Sequence, residues 1–235
     1  AHVLAPIRVR GAAEPPRPDA PNALATSPWL APEGGVPDPD ADPLLAGASV
    51  LTSSSYENRL QRTKNARGEA RVVVMTDSAE RAGGIRRTLS DPALPEGIGS
   101  LGVIECPDGE TVIDVLGDSG IEIAYCALPT RDNRIIAGDG TVSLDDCSGA
   151  PAMTVFEKTR QWTLGSQCLS NGGLLGAVLD SEATPTQLRQ LLAQLTTGAP
   201  INLSISLAIP NARSSVRVVG DPSVEVASNG GLMMV

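Results

Sequence analysis

The chain is short of the residues that carry most side-chain chemistry. Its 235 residues include one histidine, His2, and five aromatics: Trp29, Tyr56, Tyr125, Phe156 and Trp162. The lack of further histidines and of a Cys-x-x-Cys pair argues against a zinc site. So few rings leave Val, Ile, Leu and Ala to fill any core, which suits thin sheet packing. No apolar run approaches the roughly 18–20 residues that a membrane-crossing helix needs. Positive charge is also scarce. The net charge of −9 disfavours nonspecific binding to nucleic acid or anionic membrane.

Proline is present but unevenly placed. Ten of the 19 prolines fall between Pro6 and Pro43. Pairs such as Pro15-Pro16 and Asp38-Pro39 favour extended or polyproline-II backbone. Six acidic residues lie in this stretch (Glu14, Asp19, Glu33, Asp38, Asp40, Asp42) against Arg17 alone between Ala12 and Pro43. Residues 1–47 therefore read as an extended Pro-rich arm. Its apolar anchors would be Val3, Leu4, Trp29, Leu30, Leu44 and Leu45. A plain disordered linker is the other reading of the same composition.

Residues 48–98 read as a helix-strand-helix connecting region. Ser53–Arg67 suggests a polar helix that is basic on balance, with Arg59 and Arg62 as a second partner-facing surface. Ala70–Met75 is a strand. Asp77-Ser-Ala-Glu80 has the capping-box pattern and starts a helix to about Leu89.

Residues 99–235 read as a β domain with four cysteines. Expected strands are Leu101–Cys106, Thr111–Leu116, Ile121–Ala127, Arg134–Ala137, Thr141–Leu144, Ala152–Glu157, Gln161–Gln167 and Leu174–Leu179. Pro107-Asp108-Gly109 is a strong turn signal between the first two. Thr184-Pro185-Thr186-Gln187 starts the clearest helix, Pro185–Leu195, with Leu188, Leu191, Leu192 and Leu195 on one face. The period of two in Ile201–Ile209 predicts a half-buried strand, and Val216–Val219 and Val224–Ala227 close the set. The expected fold is mainly β, a sandwich or barrel-like meander with two or three short helices and a long extended Pro-rich N-terminal arm.

Cys106, Cys126, Cys147 and Cys168 are even in number and spaced 20, 21 and 21 residues apart. They predict two disulfides and an oxidising compartment, with buried free thiols as the alternative. Four cysteines allow three connectivities. The sequential pairs Cys106–Cys126 and Cys147–Cys168 are the ones expected, each adding roughly 3 kcal/mol in the chain-entropy model. The chain starts at Ala1, which agrees with removal of a signal peptide.

Candidate catalytic patterns fail on composition. Gly117-Asp118-Ser119-Gly120 copies the trypsin-like nucleophile signature, but that serine needs a histidine base within reach. A turn explains the same residues. Asp38-Pro-Asp40-Ala-Asp42 has the spacing of a calcium loop, yet Pro43 and Ser49 stand where glycine and glutamate are required. Asp145-Asp146 has no evident second group. No catalytic residue, cofactor or metal site is expected.

Cys168-Leu-Ser-Asn-Gly-Gly, the following Leu-Leu-Gly-Ala-Val-Leu-Asp, the Leu-rich helix and the Ile/Leu segment resemble the C-terminal half of the invasion-associated locus B family. Those are small periplasmic β proteins without known enzymatic activity. The chain lacks that family's second cysteine near Cys168 and its tryptophan before the first cysteine. The resemblance implies a periplasmic location. The sequence as a whole points to a non-enzymatic structural or accessory subunit of an exported assembly, in the periplasm or at the cell surface. Its partners would be other protein subunits of an envelope, appendage or particle, bound through the arm. A free periplasmic ligand- or peptide-binding β module is the alternative.

Overall fold

A computed structural model of the chain describes residues 69–90, 94–138, 140–197, 199, 201–212, 216–220, 225–227 and 231–233. The arm and the helix expected at 53–67 lie outside the described residues.

The folded part is α/β, not mainly β. Its centre is a six-stranded sheet in the order β2-β1-β3-β7-β8-β9. The strands are β1 Ala70–Thr76, β2 Ile98–Glu105, β3 Ile123–Ala127, β7 Met153–Phe156, β8 Leu175–Val178 and β9 Arg217–Gly220. The first five run parallel, and only β9 is antiparallel, to β8. Strands β3, β7 and β8 are buried at every position. That explains their near-continuous apolar runs, interrupted in β7 by Thr154, since a parallel sheet is covered on both faces.

The covering helices are α1 Ala79–Thr88, α2 Gly109–Gly117, α3 Thr163–Ser170, α4 Pro185–Thr196 and α5 Ile201–Ala208. Alternate strand residues divide the core in two. Val72, Val74, Ile123, Tyr125 and Val155 pack under α1, α4 and α5 with Ile85, Leu188, Leu191 and Ile205. Val73, Met75, Cys126, Phe156 and Val178 pack under α2 and α3 with Val112, Leu116, Leu164 and Cys168.

An antiparallel meander follows β3: β4 Thr130–Arg131, β5 Arg134–Ala137 and β6 Gly140–Val142. It is the hairpin expected around residues 134–144, extended by one strand. A 3-10 turn at Leu144–Asp146 leads from it toward β7. Two last strands, β10 Glu225–Ala227 and β11 Gly231–Met233, pair with each other.

Three expected strands are helices. Thr111–Leu116 lies within α2 because Asp108, read as a turn residue, caps the helix: its Oδ1 accepts from the N–H of Thr111 at 2.8 Å. Gln161–Gln167 overlaps α3. Ile201–Ile209 is α5, in which Ile201, Ile205, Ala208 and Ile209 are buried while Leu207 is 51% exposed. The apolar residues there satisfy a helical spacing as well as the period of two. The helix at α4 forms as expected, with the Thr184–Gln187 capping box in place. The N-cap of α1 is Ser78, one residue later than expected. The region assigned to a connector, 48–98, supplies β1 and α1 to the same sheet as the rest.

Candidate functional site

In open α/β sheets the chain crosses from one side to the other at the carboxyl ends of the strands, and the crevice formed there is where ligands bind. Here the reversal lies between β1 and β3, since β1 leads to β2 on one flank and β3 returns on the other. The loops at this edge follow β1, β2, β3, β7 and β8.

Four non-glycine residues among those described have left-handed backbone: Cys106, Asp132, Asn133 and Lys158, with φ of 45°, 52°, 58° and 55°. All four lie on loops at this edge. Asp132 and Asn133 form the two-residue turn between β4 and β5, where positive φ at both positions matches the strand twist. Cys106, directly after β2, and Lys158, two residues after β7, have no such turn to account for them. Left-handed residues of this kind concentrate where the surroundings over-determine the backbone.

The ionisable groups behind this edge close on one another. Glu157, the residue after β7, is fully buried. Its carboxylate accepts from both guanidinium nitrogens of Arg81, Nη2 at 2.7 Å. It also accepts from the hydroxyl of Tyr125 at 2.7 Å and the N–H of Ala183 at 3.2 Å. Arg81 in turn donates to the carbonyl of Ala183 at 2.9 Å. One carboxylate thus joins α1, β3, β7 and the loop before α4. Burial pushes the Tyr125 hydroxyl well above its ordinary range, and the neighbouring Glu157 charge pushes it further. At the surface end of the network, Glu182 pairs with both Arg81 at 3.4 Å and Lys158 at 2.8 Å. The hydrogen bond to Lys158 holds the Glu182 carboxyl below its usual range.

The Cys106 thiol is exposed and donates to the carbonyl of Asp77 at 3.3 Å. The other three thiols are buried. All four are unbridged. Cys106 and Cys126 cannot pair, because β1 runs between their strands: Met75 faces both Ile104 and Cys126. Two strand spacings, roughly 9–10 Å, exceed the Cα separation of about 4.4–6.8 Å that a disulfide tolerates. Cys126, Cys147 and Cys168 share the core under α2 and α3. Burial raises Cys126 and Cys168 to about 12 and Cys147 to about 11.

The expected partner-binding residues Val3, Leu4, Trp29, Leu30, Leu44, Leu45, Arg59 and Arg62 lie outside the described residues. The Arg81–Glu157–Tyr125 network was not anticipated. Its only sequence signal is Glu157 closing an otherwise apolar buried run. Gly117-Asp118-Ser119-Gly120 is a turn, in which Asp118 accepts from the N–H of Gly120 at 2.7 Å. Asp145 lies in the 3-10 turn and accepts from Gln167 at 3.2 Å. Among the described residues no cluster of three His, Cys, Asp or Glu side chains is arranged to hold a metal. No described helix is long and apolar enough to cross a membrane.

No family model matches the chain, and no curated protein does. Among solved structures, two crystal structures of the Saccharomyces cerevisiae separase–securin complex share a partial likeness. One aligns with a TM-score of 0.41 at 8% identity, over 65% of this chain and 12% of that one. The other aligns with a TM-score of 0.45 at 9% identity, over 71% of this chain and 13% of that one.

Proposed function

We propose that this chain is a non-enzymatic accessory subunit that binds neighbouring proteins, with the α/β domain as its rigid body and residues 1–47 as an extended contact. The observation that carries the reading is the saturation of Glu157. At the strand ends where α/β proteins place their chemistry, this chain spends its buried acid, base and hydroxyl on one another. The carboxylate has four donors and no exposed surface. Such a network fixes the loops and engages these three groups with one another rather than with a substrate.

The test is the native mass of the protein released gently from its source, against its chain mass of 24.2 kDa. A mass far above that with other chains present supports the reading. A monomer at every concentration overturns it. The expected export is a separate part of the proposal. Fractionation of the source that locates the chain tests it.

A small-ligand module is the second reading. It is favoured by one cavity of about 330 Å³ at the opposite edge of the sheet, lined by Pro95, Glu96, Ala193, Thr196 and Thr197. That volume is at the lower end of the range for ligand sites.

A further inference from the structure

The tip of the β4–β5 hairpin carries two arginines that face each other. Arg131 and Arg134 are directly paired across the two-residue turn, and both are exposed. Like charges directly opposite in an antiparallel pair are destabilising. Asp132 partly offsets Arg131 at 3.4 Å, with the two side chains 80% and 86% exposed. Arg134 has no acidic partner among the described residues.

The tip is held still. The N–H of Asn133 donates to Gln161 Oε1 at 2.8 Å, and Thr163 Oγ1 donates to Asn133 Oδ1. Those two anchors flank Trp162, which is 44% exposed although it is the largest side chain in the described domain. An exposed tryptophan flanked by the two residues that anchor an arginine-bearing tip has the composition of an interaction hot spot. Because backbone and side-chain bonds already order it, little freedom is lost when something binds.

We propose that this patch is the docking site for the chain's own acidic stretch, residues 33–42. Charge complementarity picks out the occupant. Glu33, Asp38, Asp40 and Asp42 fall in ten residues that contain no basic side chain, and Leu44 and Leu45 follow as apolar partners for the tryptophan. Carboxylates bind guanidinium groups in two-point geometry. The tether is long enough. The 27 residues from 43 to 69 can span up to about 90 Å, while the seven-residue β1 puts the two edges of the sheet about 23 Å apart. Attachment also places the stretch at an effective concentration near the millimolar range. A partner that competes for either side would then release the other.

The experiment uses the full chain with Trp29→Phe, which leaves Trp162 as the one tryptophan. Acrylamide quenching of its fluorescence is read at low salt and in 1 M sodium chloride. Docking predicts quenching that is low in dilute buffer and rises roughly twofold when salt cuts the Debye length to about 3 Å. Asp38→Asn/Asp40→Asn/Asp42→Asn and Arg134→Glu should each give the high value without salt. Arg134→Lys should stay near the parent. Adding Asp38→Arg and Asp40→Arg to Arg134→Glu should restore the low value. Quenching that is the same in all variants and indifferent to salt overturns the proposal. So does protection that appears only as protein concentration rises, which would assign the site to a second copy. Neither result bears on the native mass, so failure here is separable from failure of the accessory-subunit reading.

Discussion

The hydroxyl of Tyr125 and the carboxylate of Glu157 meet at 2.7 Å inside the sheet-to-helix core, with both side chains fully buried. The bond shares its acceptor with the Arg81 guanidinium, so the three groups stand or fall together.

Removing one partner should cost more than removing two. Glu157→Leu leaves the buried Arg81 charge with only the half-exposed Glu182 carboxylate at 3.4 Å, with an expected loss of about 3–5 kcal/mol. Tyr125→Phe removes one neutral donor and should cost about 1–2 kcal/mol. The double change Arg81→Met/Glu157→Leu should be much less harmful than the sum of its single changes. Urea unfolding of the four variants checks this, and additive losses would show that the groups act independently.

The thiols give a pH signature. Unfolded cysteine titrates near 8.5 and unfolded tyrosine near 10. In the fold Cys126 and Cys168 are raised to about 12, Cys147 to about 11, and Tyr125 upward as well. The native state therefore keeps protons that the unfolded state releases. Stability is whole below about pH 8.5 and falls as pH rises toward 12, by up to about 4 kcal/mol per pH unit where three thiols contribute. Denaturant midpoints between pH 7 and 11 measure the slope. Cys126→Ala should lower it by about 1.4 kcal/mol per pH unit.

A thiol reagent such as Ellman's should titrate one cysteine in the native chain, Cys106, and four after unfolding. The exposed site should react at once and the buried three only as fast as the domain opens. Two thiols on unfolding would mean that a disulfide had formed.

Helix α3 and strand β8 touch through Gly165 and Gly176. A Cβ on Gly176 would sit 2.7 Å from the Gly165 carbonyl oxygen, whereas one on Gly165 would sit 3.3 Å from the Gly176 oxygen. Gly176→Ala should then cost about 2–3 kcal/mol by forcing backbone apart. Gly165→Ala, which also raises helix propensity, should stay within about 1 kcal/mol of the parent. Thermal melts of the two variants separate them, and equal losses would argue against the close approach.

Local signals in the sequence were readable where one structure alone satisfied them. The Thr184–Gln187 box and the leucine stripe of α4 have no strand equivalent. Elsewhere two readings were open. Asp108 can turn a chain or cap a helix, and only the packing of Val112, Val115 and Leu116 on the sheet decides. Ile201–Ile209 alternates, yet Leu207 faces out. Leu207→Lys should therefore change stability by about 0.5 kcal/mol or less, while Ile205→Lys should unfold the domain. A strand would lose both alike. The parallel arrangement was hidden because it depends on which helix covers which face, a property of distant residues. The buried network was hidden for the same reason: Arg81, Tyr125 and Glu157 are 44 and 32 residues apart along the chain.

Among the described residues, the chain enters its sheet at an internal strand. β1 lies between β2 and β3, parallel to both, and it begins at Ala70. Any tension applied from the N-terminal side of Ala70 is therefore carried along β1 and shared by two ladders of hydrogen bonds loaded in shear. An edge strand would peel one bond at a time. As a mechanical element, the domain is held at Ala70 by the strand best placed to resist being pulled out.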